Sequence, residues 1–130
     1  MKLEILAQDF SVCKVRDMAS VRWEEGFRFF AKTDAELSLV CETRFAPADT
    51  VAREDGWKGV RVAGSMDFSL VGVLSRLSSI LAHRGIPIFA VSTYDTDYIF
   101  VKAQDFQKAI DAFVAEGYET SSLAYEEKRL

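Results

Sequence analysis

Soft metal ligands, prolines and long apolar runs are scarce in this sequence, and each scarcity removes a class of protein. One histidine, His83, and two cysteines, Cys13 and Cys41, which are far apart and outside any CxxC pair, exclude a structural zinc, an iron–sulfur cluster and a disulfide framework. A single imidazole also leaves no obvious activated nucleophile or acid–base pair, so no catalytic residue is expected. No window approaches the roughly 20 apolar residues of a membrane helix. Glu4, Gln8, Asp9, Lys14 and Arg16 interrupt the start before a signal-peptide core forms, which makes the cytoplasm the expected compartment. Sixteen Lys and Arg against twenty Asp and Glu, with no basic run, argue against nucleic acid as a partner, as does the missing basic and aromatic platform of an RNA-binding sheet.

What is present is apolar content. Of 130 residues 49% are hydrophobic and only 2 are proline, enough to bury a core in one domain or in two small units. From Leu3 to Phe45 the pattern is mostly period two: Leu3, Ile5 and Ala7, then Phe10 and Val12, then Leu37, Leu39 and Cys41. Thr33-Asp34-Ala35-Glu36 is turn chemistry that joins two of these strands as a hairpin. Arg16 to Glu25 fits a short helix or a loop. The most polar stretch, Ala46 to Gly56, marks the boundary between a unit over 1–57 and a unit over 58–130.

The second unit is more regular. Val60 to Ala63 predicts a strand, and Ser69 an N-cap for a helix whose apolar positions are Val71, Leu74, Leu77 and Leu81, stopped by Gly85 and Pro87. Ile86 to Thr93 and Tyr98 to Val101 predict a buried hairpin across the turn Tyr94-Asp95-Thr96-Asp97. Asp105 is placed to cap a second helix with the stripe Phe106, Ala109, Ile110, Phe113 and Val114, ending at Gly117, and Tyr118 to Tyr125 predict a last strand. The order strand, helix, strand, strand, helix, strand predicts an α+β, ferredoxin-like (βαββαβ) unit, preceded by a degenerate strand-rich unit.

The run from Ser69 through Gly72, Leu74, Leu77 and Leu81, continuing through Gly85-Ile86-Pro87-Ile88-Phe89-Ala90-Val91-Ser92-Thr93-Tyr94-Asp95-Thr96-Asp97-Tyr98-Ile99, resembles an ACT domain. It is similar to the regulatory ACT pairs of aspartate kinases and to the small tandem-ACT proteins related to the CASTOR arginine sensors. The resemblance implies a regulatory module without catalysis, which holds a free amino acid between ACT units placed side by side. Carried onto this chain, the site positions it implies are Ser69, Leu70, Val71 and Gly72 on the loop and helix start, and Phe89, Thr93, Tyr94, Asp95 and Asp97 on the facing strand and turn. It implies no cofactor, a homodimer, and output through a protein partner or through binding itself, since no catalytic domain is joined to the module.

Each of these positions also has a plainer reading. A helix start near Ser69 offers backbone N–H groups to a ligand carboxylate, yet Ser69 also fits a simple cap and Gly72 simple close packing. Asp95 and Asp97 could bind an ammonium group and would favour a basic amino acid, yet Asp is among the commonest turn residues. Phe89 fits the core as readily as a pocket, His83 fits the C-terminal end of its helix, and Cys13 and Cys41 fit buried strand positions. The expected function is a stand-alone amino-acid-binding regulatory protein. The alternative is a ligand-free ACT-fold module that acts through a protein partner.

Overall fold

Alternation in the first 62 residues becomes five strands. In the computed structural model, which describes residues 1–24, 26–63 and 72–123, these are β1 (Lys2–Leu6), β2 (Phe10–Val15), β3 (Arg28–Lys32), β4 (Leu37–Glu42) and β5 (Ala52–Val62). There follow α1 (Val73–Ala82), β6 (Ile88–Ser92), β7 (Asp97–Lys102), α2 (Phe106–Ala115) and β8 (Glu119–Leu123). Two compact units result: Met1–Ala7 together with the described residues from Lys58 onwards, and Gln8–Trp57. The first seven residues thus pack with the second half of the chain, because β1 finds its partners there: it pairs antiparallel with β5 and parallel with β8.

In Gln8–Trp57 the strands run β3-β4-β2, and the start of β5 pairs with β2. The β3–β4 hairpin closes at the expected turn, where Thr33 donates its N–H to the Glu36 carbonyl and its hydroxyl accepts the N–H groups of Ala35 and Glu36. The polar stretch expected to be a boundary is strand from Ala52 onwards. Its backbone is tied to β2 while the side chains of 52–56 face solvent, so pairing overrides a composition that reads as loop. The described part of Arg16 to Glu25 holds turns and no helix. Cys13, Val15, Val21, Leu39 and Cys41 form the core here.

The other unit follows β5-α1-β6-β7-α2-β8, the ferredoxin-like order, with one addition. Its strands run β8-β1-β5-β7-β6, so β1 lies between β5 and β8. Both helices cover one sheet face: Val73, Leu77 and Leu81 of α1 and Ala109, Ile110 and Phe113 of α2 pack with Leu3, Val60, Val62, Ile99 and Val101. No helix among the described residues is long and apolar enough to cross a membrane.

Several details differ from the sequence reading. α1 begins at Val73 with Gly72 as its N-cap at φ +79°, a left-handed conformation that favours glycine, and the expected cap Ser69 lies outside the described residues. Asp105 holds the N-cap place of α2 but makes no side-chain cap bond, because the preceding 3-10 turn (Ala103–Asp105) already gives it near-helical dihedrals. Val114 is half exposed, and Ala112 takes the buried place. The hairpin is buried on β7; among the described residues β6 pairs with β7 alone, and it is partly exposed. The stop after α1 is as expected: the Ile86 N–H bonds back to Leu81, and the His83 ring lies 2.7 Å from the Ser79 carbonyl.

Two expectations follow from this packing. A Cβ on Gly59 would sit 2.8 Å from the Phe100 ring and 3.3 Å from Leu6, so Gly59→Ala should destabilise the protein by about 1–3 kcal/mol, seen as a lower urea midpoint. An unchanged midpoint would contradict that close approach. Burial pushes the Cys41 thiol up to about 12, with the neighbouring Cys13 adding to the effect, and burial raises Cys13 as well. Iodoacetamide at pH 8 should therefore label neither cysteine until the protein unfolds.

Candidate functional site

Arg61 lies between Val60 and Val62, which face the helices, so strand alternation turns its side chain to the opposite sheet face. The register sets Glu4 of β1 directly opposite, and the Arg61 Nε donates to Glu4 Oε1 at 3.1 Å. The two side chains are only 25% and 20% exposed, so solvent screens this pair less than a surface one. Tyr98 of β7 completes the setting, with its ring centroid 5.9 Å from the guanidinium carbon and its hydroxyl accepting a long 3.4 Å contact. Burial works against the Arg61 charge, but the bonds to Tyr98 and Glu4 outweigh it and hold its pKa above the ordinary arginine value.

The β6–β7 turn is pinned beside this pair. The Thr96 hydroxyl donates to the Val62 carbonyl at 2.8 Å, and the Thr93 N–H donates to the Thr96 carbonyl at 2.8 Å. Between these elements opens a cavity of about 330 Å³, lined by Glu4, Arg61 and Tyr98, by Thr93, Asp95 and Thr96 of the turn, and by Val62.

The expected site positions divide. Thr93 and Asp95 line the cavity. Tyr94 at the tip of the turn is 82% exposed and does not line it. Asp97 is buried as the first residue of β7, where its carboxylate accepts the Ser92 hydroxyl at 2.6 Å across the hairpin. Phe89 stacks on Phe100, centroids 4.7 Å apart and planes 15° apart, and is not a lining residue. Gly72 caps α1, while Ser69, Leu70 and Val71 lie outside the described residues.

Sequence reasoning did not assign Glu4, Arg61, Thr96 or Tyr98 to the site. The signal that could have found the first two is a charge set alone in an apolar strand, Glu4 between Leu3 and Ile5 and Arg61 between Val60 and Val62. Chemically the cavity offers one guanidinium for a carboxylate, two carboxylates for an ammonium group, and hydroxyls beside both. Among the described residues no three His, Cys, Asp or Glu side chains are grouped to hold a metal ion.

Residues 52–114 match the ACT domain family. By sequence the chain matches none of the curated proteins. Among solved structures it is similar to protein Atu0741 from Agobacterium tumefaciens, with 28% identity over 98% of this chain and 97% of that one and a TM-score of 0.84. It is similar in fold to a Vibrio cholerae protein of unknown function at 23% identity, covering 85% and 84% of the two chains with a TM-score of 0.66. The likeness extends to the aspartate kinase of Clostridium acetobutylicum, an allosteric enzyme, at 14% identity over 83% of this chain and 33% of the kinase, with a TM-score of 0.61. ACT domains are non-catalytic regulatory modules. This protein accordingly has an ACT-domain fold, which it shares with the aspartate kinases.

Proposed function

We propose that this protein is an amino-acid-binding regulatory module whose ligand occupies the cavity at Arg61. The observation that carries the reading is the convergence of one guanidinium and two carboxylates, Glu4 and Asp95, on one open cavity in an ACT fold. A free amino acid is a zwitterion of matching pattern. Its carboxylate meets Arg61, its ammonium group meets Asp95, and Thr93 and Tyr98 supply hydroxyls at the edge. Two carboxylates facing one guanidinium favour a basic side chain over an acidic one, with Glu4 in the place first expected for Asp97. A cytoplasmic setting and a two-fold homodimer belong to the same reading, the latter as the commonest closed assembly.

A thermal-shift screen against the twenty free amino acids tests this. At about 100 times the dissociation constant a ligand adds roughly 2.7 kcal/mol of stability, enough to raise the melting midpoint by several degrees. Arginine or lysine should give the largest rise. A flat screen on folded protein would sink the reading and favour the alternative, a ligand-free module acting through a protein partner. Arg61→Gln and Asp95→Asn should each weaken binding about ten- to a hundredfold, the loss of one charge-assisted bond of ~1.5–3 kcal/mol. Asp97→Asn should instead lower the urea midpoint and leave affinity within about twofold, because its carboxylate is held by Ser92. Equal losses of affinity in all three variants would place the ligand elsewhere.

A further inference from the structure

Within Gln8–Trp57, three guanidinium groups gather around one aromatic ring. The Cζ atoms of Arg28, Arg44 and Arg22 lie 4.3, 4.4 and 5.5 Å from the Phe45 ring centroid, and they come from β3, the 3-10 turn (Thr43–Phe45) and the loop before β3. Like charges do not assemble without something opposite. Among the described residues two carboxylates, Glu42 and Glu24, pair with the cluster, and both are engaged. Glu42, 1% exposed, accepts the Phe27 N–H at 2.8 Å and the Arg44 Nε at 3.1 Å, while Glu24 pairs with Arg22 at 3.7 Å on the surface. Gly26 at φ +82° leaves room for this, since a Cβ there would collide with the Glu42 carboxylate and touch Phe45.

Arg28 is the member left over. Its two terminal nitrogens are sealed from solvent and have no hydrogen-bond partner among the described residues, and a π face alone offers them no acceptor. A buried guanidinium fork without an acceptor is unfavourable enough to need an explanation, and an unseen anion is one. Arginine presents its donors in a plane that fits oxyanions two bonds at a time, and three of them suit an anion carrying more than one charge.

We infer that Arg22, Arg28 and Arg44 form a binding site for a phosphate group, free or carried on a small molecule. The exposed guanidiniums of Arg22 and Arg44, 60% and 57% accessible, grip the anion first, and Arg28 gains from it the acceptor it lacks. This site is built from Gln8–Trp57, whereas the cavity at Arg61 belongs to the other unit, so the two readings stand or fall separately.

Isothermal titration of the full chain with inorganic phosphate, glycerol 3-phosphate and acetate tests it, with the melting midpoint followed in parallel. Both phosphates should bind saturably in the low-millimolar range or better, and acetate should bind at least tenfold more weakly. Arg28→Met, which keeps the bulk and removes the fork, should weaken phosphate at least tenfold without lowering the midpoint measured in the absence of anion. The double variant Arg22→Gln with Arg44→Gln alters only exposed side chains and should lose binding to a similar degree, so the test survives if Arg28→Met fails to fold. Lys108→Gln, an exposed change on α2, should leave binding unaltered. Absence of saturable phosphate binding, retention of it in the double variant, or equal weakening by Lys108→Gln would overturn the site. Equal affinity for acetate would overturn its assignment to a phosphate group.

Discussion

The strand β1 carries a constraint on which the rest of its unit depends. Its five residues pair in parallel with β8, and the central three, Leu3, Glu4 and Ile5, pair on the other side antiparallel to β5, so the strand is held by partners more than 50 residues away. Without it, β5 and β8 would each present an open edge, and an open edge invites pairing with other chains. The same strand faces two ways. Leu3 enters the helix-covered core, and Glu4, one residue on, arrives opposite Arg61 on the other sheet face. A register slip of a single residue would exchange these roles, placing a carboxylate in the core and an apolar side chain against the guanidinium. Core packing and site electrostatics therefore select the same register.

Arg61 shows how that register sets up a binding cavity. A cation withdrawn from water needs partners of good geometry, and the fold supplies a carboxylate, a phenol and an aromatic face. Glu4 takes one edge of the guanidinium, while the group as a whole still lines the cavity. Thr96 fixes the turn to β5 through the Val62 carbonyl, which places Asp95 at the same cavity without any contact to Arg61 being required. Position there is set by backbone-directed bonds, which are less sensitive to neighbouring side chains than an ion pair is.

Much of the fold could be read from the sequence because it is local. The apolar stripe of α2, the Gly85 stop after α1, and the turn chemistry at Thr33 and Thr93 each act within a few residues. The site was legible in part for the same reason. Thr93 and Asp95 sit on a turn that advertises itself, whereas Glu4 and Arg61 are 57 residues apart and meet only through strand pairing. Asp97 illustrates the converse: two aspartates two residues apart look equivalent, but strand alternation and the Ser92 hydroxyl withdraw one of them into the hairpin. The polar start of β5 was unreadable because its strand character comes from β2 rather than from its own residues.

Two arginines on strands of this chain meet opposite fates, and the difference is one of register. Arg61 faces a glutamate at its paired position on the neighbouring strand, so its charge is answered by the chain itself. Arg28 is paired with Cys41, a buried thiol that burial holds in its neutral form, so no counter-charge can arise at the paired position. Glu42, a buried carboxylate one residue further along β4, is already committed to Phe27 and Arg44. Moving Glu42 into register with Arg28 would turn its side chain to the other face of β4 and release the loop that it anchors. Strand alternation therefore keeps Glu42 from answering Arg28, and among the described residues the fork has no acceptor, which is the place the inferred phosphate group would fill.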